Sequence, residues 1–78
     1  MMSEYLEILR EILGRAFPNS EIPRDLSQLG YGSLDEWDSL GNFALLLLVE
    51  QRFNIQFTMQ EMAEIRSLKD IINRIEQN

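Results

Sequence analysis

The residues with chemical potential in this 78-residue chain lie in one short run, Glu36-Trp37-Asp38-Ser39-Leu40. The hydroxyl of Ser39 could attack a substrate, or it could receive a group that another protein attaches. Attack in the manner of a Ser-His-Asp hydrolase requires a histidine base, and the chain contains no histidine. The absence of cysteine removes thiolate metal sites and disulfides as well. Ser39 is therefore predicted to receive chemistry rather than to perform it, and the chain is not expected to be an enzyme.

A purely structural interpretation of Ser39 is also open. Serine and aspartate are preferred at the N-cap of a helix, where the side chain binds a free backbone N–H group. A leucine-rich stretch follows directly, so Asp38 or Ser39 is predicted to cap a helix that runs to Arg52 or Phe53. The tripeptide Asp38-Ser39-Leu40 is too short to decide between the two interpretations by itself.

The charge of the chain limits its partners. Acidic residues number 13 against 7 basic ones, which gives a net charge of −6. Nucleic-acid binding requires a basic surface and is not expected, whereas partners with basic surfaces are. The N-terminal residues lack the basic start and apolar run of a signal peptide, and the apolar run from Phe43 to Val49 is too short to span a bilayer. We expect one domain over residues 1–78, monomeric, soluble and cytoplasmic.

Hydrophobic periodicity predicts a first helix from about Ser3 to Ala16. Ser3 can cap its start, and Pro18 stops it because proline lacks the backbone N–H that the next turn needs. Residues 17–37 then form a long connection with apolar side chains at intervals, which we expect to pack the loop against the helices. A short helical turn is predicted from Asp25 to Leu29.

Two further helices are predicted after the leucine-rich one. Asn54 fits the left-handed position that ends a helix, and the next three residues are predicted to be a loop. A capping box at Thr58 predicts a short helix to about Glu64, and Ser67 starts a last helix that ends near Glu76. The predicted fold class is all-α: a small four-helix bundle of three main helices and one short helix, with a long first loop.

The leucine-rich helix is apolar on every face, and a chain this small has little protein to surround it. Two sets of side chains fall on different faces of this helix. The first set recurs at i, i+3 and i+7 and consists of Leu40, Phe43 and Leu47. The second set consists of Leu45, Leu46, Val49 and Phe53. One set must pack on the other helices, and the spacing alone also allows both to be buried.

Between residues 25 and 50 the sequence holds acidic residues and neither lysine nor arginine. The acidic residues are Asp25, Asp35, Glu36, Asp38 and Glu50. An ordinary solvated surface accounts for such a pattern. The functional alternative is a negative surface that orients basic partners around Ser39.

Motif and layout together resemble the acyl carrier protein family. Proteins of this family carry a phosphopantetheine arm on a serine in an Asp-Ser-Leu motif at the start of their second helix, and here the motif is Asp38-Ser39-Leu40. The preceding helix, the long loop, the ending Glu50-Gln51-Arg52-Phe53 and the tail from Ile65 to Ile72 match the family layout. The resemblance covers essentially the whole chain, and the spacing of these parts is more specific than the tripeptide.

The resemblance implies a cofactor and a set of partners. It implies that 4'-phosphopantetheine is attached covalently to Ser39 by a separate phosphopantetheinyl transferase, which also recognises Asp38. A loading ligase or transferase would then place an acyl group on the thiol of the arm, for downstream biosynthetic enzymes to use. The family layout makes the first apolar set the docking face and the second set the core. The implied partner-binding residues are Asp35, Glu36, Leu40, Phe43, Leu47 and Glu50.

The chain departs from the family pattern in its leucine-rich helix. Gly41, Ala44 and Gln51 stand where carriers of fatty acid synthesis usually have acidic residues. Together with Trp37, this departure implies a specialised stand-alone carrier in lipid or polyketide biosynthesis, encoded with dedicated enzymes. Two alternatives remain open: a carrier of aminoacyl or peptidyl groups, and a small helical adaptor that is never modified and binds through Leu40, Phe43 and Leu47.

Overall fold

The computed structural model describes residues 2–77 and places four helices along the chain. These are α1 (Met2–Ala16), α2 (Ser39–Phe53), α3 (Met59–Glu64) and α4 (Leu68–Glu76). Within this range there is no strand, and three main helices accompany a short α3, so the predicted all-α fold is confirmed. Helix α1 begins one residue earlier than predicted, and the expected capping by the Ser3 side chain lies outside the described residues.

The core collects the apolar faces of α1, α2 and α4. Leu9 and Leu13 repeat one turn apart on α1, and Ile71, Ile72 and Ile75 follow the same helical spacing on α4. The side chains with no exposed surface are Leu9, Leu13, Trp37, Leu45, Leu46, Val49 and Ile71. Burial of this apolar surface is the main force that holds so small a protein together.

Helix α2 buries one of its two apolar faces. Leu45, Leu46 and Val49 are completely buried, while Leu40 and Phe43 are among the most exposed large apolar side chains of the described residues. The predicted outer set is therefore exposed, and the predicted core set is buried except for Phe53, which is half-buried. Of the helices described for residues 2–77, none combines the length and the apolar composition that crossing a membrane requires.

The long connection between α1 and α2 is packed by its own side chains, as predicted. Phe17, Leu26, Leu29 and Trp37 are buried. The rings of Phe17 and Trp37 pack with their centroids 5.6 Å apart, which fixes the two ends of the connection to each other. The loop therefore delivers the chain to the start of α2 in a defined position.

The helical turn predicted from Asp25 to Leu29 is wrong. The backbone N–H of Leu29 donates to the carbonyl of Leu26 at 3.1 Å, which closes a turn and not a helix. The Asp25 carboxylate accepts from the hydroxyl of Ser27 at 2.7 Å and from its backbone N–H at 3.0 Å. These two bonds hold the pKa of Asp25 below its ordinary value. An aspartate bound to the backbone two residues on favours a turn over a helix.

The ends of the later helices follow the predicted capping. Asn54 ends α2 in the left-handed region, with φ of 56°. Thr58 and Glu61 form the complete capping box at the start of α3. At the start of α4 the Ser67 hydroxyl accepts from the backbone N–H of Asp70 at 3.0 Å. The Asp70 carboxylate accepts from the backbone N–H of Arg66.

Candidate functional site

Asp38 is the N-cap of α2, and Ser39 is its first helical residue. The Asp38 carboxylate accepts from the backbone N–H of Gly41 at 2.8 Å, and the Asp38 carbonyl accepts from the N–H of Asn42 at 2.7 Å. The sequence left the cap open between Asp38 and Ser39, and the structure assigns it to Asp38. Ser39 is exposed, so its hydroxyl is accessible and is not consumed by capping.

The hydroxyl of Ser39 has one side-chain partner, the hydroxyl of Tyr31. The two oxygens are 2.9 Å apart, and either can donate the hydrogen. Tyr31 lies in the long connection and is itself about half exposed. In the sequence, Tyr31 is one of several apolar side chains spread through this loop. No rule of sequence spacing pairs Tyr31 with Ser39, so only the folded structure reveals this contact.

A cation stands beside Tyr31. The guanidinium carbon of Arg66 lies 5.8 Å from the centroid of the Tyr31 ring, within the range of a cation–π contact. Its Nε donates to the carbonyl of Ala63 at 3.0 Å, and among residues 2–77 the guanidinium forms no ion pair with a carboxylate. Arg66 thus brings a positive charge to a region whose own stretch of sequence has none.

Backbone bonds fix Tyr31 and Arg66 next to each other. The N–H of Tyr31 donates to the carbonyl of Arg66 at 2.6 Å, and the N–H of Leu68 donates to the carbonyl of Leu29 at 3.1 Å. Between them, Gly30 and Ser67 form an isolated antiparallel bridge. We call this pairing of residues 29–31 with 66–68 the clamp. A Cβ at Gly30 would lie 2.9 Å from the carbonyl oxygen of Arg66, so the clamp requires glycine there.

The buried side chain of Asn42 joins the start of α2 to two other segments of the chain. Its Oδ1 accepts from the indole Nε1 of Trp37 at 2.9 Å, and its Nδ2 donates to the carbonyl of Ile65 at 2.9 Å. Among the residues whose burial the structure describes, it is the polar side chain buried in the core, and both ends of its amide are satisfied. By helix propensity alone, Asn42 is only a poor helix former near the start of α2. An amide side chain directly before the apolar run of α2, five residues after a tryptophan, was the available signal.

The absence of a side chain at Gly41 has a packing cause. A Cβ at this position would lie 2.0 Å from the carbonyl oxygen of Glu36 and 3.0 Å from the ring of Phe17. The chain approaching Ser39 therefore passes directly against the first turn of α2. Sequence reasoning read Gly41 as the loss of an acidic recognition residue, whereas the close approach by itself demands glycine.

The acidic residues predicted to bind partners differ in what they contact. The Glu36 carboxylate accepts from the N–H of Asn19 at 3.0 Å and from the hydroxyl of Ser20 at 2.9 Å. The Glu50 carboxylate accepts from the N–H of Phe57 at 2.7 Å. Both are half-buried: Glu36 ties the two ends of the long connection together, and Glu50 ties the loop after α2 to this helix, while Asp35 is exposed. Of the three, Asp35 presents its charge most openly, and a role of any of them in partner binding remains a prediction.

The outer face of α2 leads away from Ser39. Leu40 is 82% exposed, Phe43 45% and Leu47 39%. These three side chains, here called the apolar stripe, begin at the residue after Ser39 and continue for two turns. The placement fits the predicted docking face, and its use for docking remains a prediction.

No protein-family model matches this chain, and no curated protein or solved structure matches it significantly. Function must therefore be inferred from the residues around Ser39.

Within the described residues, no three side chains of the metal-ligating types gather into a possible metal site. An apolar cleft of about 290 Å³ lies between α1, the long connection and α4, where Leu6, Leu26 and Ile72 line it, and Ser39 is not part of its lining.

Proposed function

We propose that this chain is a discrete acyl carrier protein, which holds acyl intermediates as thioesters on a 4'-phosphopantetheine arm attached to Ser39. The observation that carries the proposal is the position of the Ser39 hydroxyl: exposed, on the first residue of α2, directly after a capping aspartate. The Asp38-Ser39-Leu40 motif and the order of the helices agree with it.

The start of α2 suits a phosphodiester. The first N–H groups of a helix lack intrahelical partners, and Asp38 binds only that of Gly41. The N–H groups of Ser39 and Leu40 therefore remain next to the attachment oxygen. They and the positive end of the helix dipole favour an anion at this position.

The attachment chemistry requires no base from this chain. On the transferase, a bond forms between the Ser39 oxygen and the phosphorus that bears the pantetheine of coenzyme A, and the pyrophosphate bond breaks. Adenosine bisphosphate leaves, and the serine proton passes to the transferase or to solvent. The carrier is thus a substrate and shuttle, with its cargo held by the thiol of the arm.

The proposed partners are a phosphopantetheinyl transferase, an acyl-loading ligase or transferase, and downstream biosynthetic enzymes, which meet the carrier in the cytoplasm. Asp38 is proposed to be recognised by the transferase in addition to its capping role. The apolar stripe, which begins beside Ser39, is the proposed contact for the acyl-handling enzymes. The charge of Asp35 would orient basic partners before contact.

A second candidate function rests on the same stripe. A side chain such as Leu40, 82% exposed, is a suitable anchor for a partner groove. The chain would then be a small adaptor that binds a partner through Leu40, Phe43 and Leu47 and is never modified. Partner binding through the stripe does not need the hydroxyl of Ser39. Ser39→Ala should therefore abolish the carrier function and leave binding by an adaptor intact.

The test is incubation of the protein with coenzyme A, magnesium and a broad-specificity phosphopantetheinyl transferase, followed by mass spectrometry. We expect the mass to rise by one phosphopantetheine and the modified peptide to contain Ser39. Ser39→Ala should abolish the increase, and Ser27→Ala, at another exposed serine, should leave it intact. No increase, or an increase that persists in Ser39→Ala, would refute the carrier function and favour the adaptor.

A further inference from the structure

We propose that Tyr31 is a positioning residue for the arm: once Ser39 is modified, the Tyr31 hydroxyl donates to the phosphodiester, with the cation of Arg66 held beside it. This inference rests on the proposed attachment at Ser39 and adds a residue-level account of how the arm is held at its root. The starting observation is the 2.9 Å contact between the Tyr31 and Ser39 hydroxyls.

Modification changes what Tyr31 can bind. In the unmodified chain both hydroxyls carry a proton, and either can donate. Esterification removes the proton of Ser39 and turns its oxygen into a poor acceptor. The free oxygens of the phosphodiester lie two bonds from the Ser39 oxygen, carry the negative charge and accept strongly. The Tyr31 hydroxyl is then fixed as the donor and needs only a small movement to reach one of these oxygens.

Arg66 supplies the charge that an anion at this place would need. Its guanidinium lies over the Tyr31 ring at 5.8 Å, and its Nε binds the Ala63 carbonyl. Arginine has five N–H donors, so those on its two terminal nitrogens remain for another acceptor. Arg66 forms no ion pair with a carboxylate among residues 2–77, so its guanidinium is available to the anion that modification of Ser39 would add.

The clamp gives Tyr31 the rigidity that a positioning residue requires. Its backbone is bound on both sides of the pairing, by Tyr31 N–H to Arg66 and by Leu68 N–H to Leu29. The neighbouring Gly32 adopts φ of 86° and donates to the Trp37 carbonyl at 2.9 Å, which turns the loop back toward α2. The backbone of Tyr31 is therefore fixed by bonds that do not involve Ser39.

The inference makes a directional statement about the arm. With the phosphodiester bound to Tyr31 and Arg66, the root of the arm is directed toward the connection between α3 and α4. A phosphodiester without these contacts would keep only the N–H groups at the start of α2 as partners. The two situations differ at the phosphorus atom, which makes phosphorus the appropriate probe.

The experiment is phosphorus NMR of the protein after enzymatic loading with phosphopantetheine. We expect the resonance of the folded protein to differ in chemical shift from that of the same loaded protein unfolded in urea. Tyr31→Phe should move it toward the unfolded position, and Arg66→Gln should move it by a smaller amount in the same direction, with Arg66→Lys closer to wild type. Tyr5→Phe and Arg15→Gln, at the other tyrosine and at an exposed arginine of α1, should leave it in place.

The outcomes separate this inference from the proposed function. Loading that succeeds, with a resonance that is the same in wild type and Tyr31→Phe, would overturn the role of Tyr31 and leave the carrier function standing. A chain that accepts no phosphopantetheine on Ser39 would overturn both. Circular dichroism of each variant checks folding, and because Tyr31 and Arg66 are exposed side chains, these substitutions should leave the spectrum unchanged.

Discussion

The indole Nε1 of Trp37 donates to Oδ1 of Asn42 at 2.9 Å, so the residue two positions before Ser39 is bonded to the residue three positions after it. Both side chains are buried, and the other end of the Asn42 amide binds the Ile65 carbonyl. The start of α2, the end of the long connection and the segment after α3 are therefore joined through a single side chain. Ser39 is exposed on top of this buried junction.

Asn42→Ala should destabilise the protein by at least about 2 kcal/mol. The substitution leaves the Trp37 N–H and the Ile65 carbonyl buried without partners, and each such group costs about 1–3 kcal/mol. Urea unfolding followed by tryptophan fluorescence measures the change. Asn73→Ala, at an exposed position of α4, is the matched control and should stay within about 0.5 kcal/mol of wild type. Equal unfolding midpoints for the two variants would contradict the assignment.

Gly41→Ala and Gly14→Ala should have opposite effects on stability. A Cβ at Gly41 would lie 2.0 Å from the Glu36 carbonyl oxygen, so the loop must move, and overpacking of this kind costs about 1–3 kcal/mol. At Gly14 in α1 nothing lies within 4 Å, and alanine should stabilise the helix by roughly 0.5–1 kcal/mol. Thermal unfolding of both variants provides the comparison, and a stabilised Gly41→Ala would show that the approach of Glu36 is not restrictive.

Asp38→Asn should separate capping from recognition. Asparagine caps a helix about as well as aspartate, so we expect the free energy of unfolding to change by less than about 1 kcal/mol. The rate of phosphopantetheine loading should nevertheless fall, because the carboxylate that the transferase is proposed to recognise is gone. Asp38→Ala should lose about 0.5–2 kcal/mol of stability in addition. A loading rate unchanged in Asp38→Asn would leave Asp38 with the capping role alone.

Phe43→Ala should weaken acyl transfer to partner enzymes more than it weakens the fold. Its side chain is 45% exposed, so its loss should cost well under the ~3 kcal/mol that emptying a buried aromatic site costs. Leu46→Ala, on the buried face of the same helix, should cost about 2–5 kcal/mol. Unfolding midpoints and transfer rates are measured on the same loaded samples. A loss of ~3 kcal/mol or more in Phe43→Ala would place Phe43 in the core.

The start of α3 should lose stability in acid through Glu61. The Glu61 carboxylate accepts from the backbone N–H of Thr58 and pairs with the Arg74 side chain. These contacts, the first more than the second, lower its pKa below the ordinary value of 4.5. A lowered pKa in the folded state stabilises the fold above the unfolded value, and this stabilisation disappears as the pH falls through the folded value. The difference in melting temperature between wild type and Glu61→Gln should therefore be largest near neutral pH and shrink below about pH 4.5. A difference that is constant with pH would exclude this contribution.

The helices were predictable because their signals are local. Thr58 and Glu61 stand three residues apart, and Asn54 marks the end of α2, so propensity and capping rules located these boundaries. The turn at Asp25 was missed because a side chain that binds its own backbone competes with helix formation, and periodicity does not register that competition.

The site was predictable only in part. Asp38 and Ser39 were identified because they are adjacent in sequence and follow a known motif. Tyr31 and Arg66 were not, since they are separated by 35 positions and meet only through the clamp. Asn42 was likewise undervalued because the worth of a buried amide depends on two partners that the sequence does not pair. Contacts between residues that are far apart in sequence form only when the whole chain folds, so local sequence patterns do not predict them.

The clamp has a consequence for how the length of this protein can vary. Loops normally tolerate insertions because few of their backbone groups are committed. Residues 65–67 form a loop by shape, yet Ile65 binds Asn42, Arg66 binds Tyr31, and Ser67 pairs with Gly30. A single residue inserted here would displace the backbone partners of Tyr31 and Asn42 together. These are the two residues whose side chains bind Ser39 and Trp37. This short connection, remote from the motif in sequence, is therefore a loop in which we expect a change of length to be poorly tolerated.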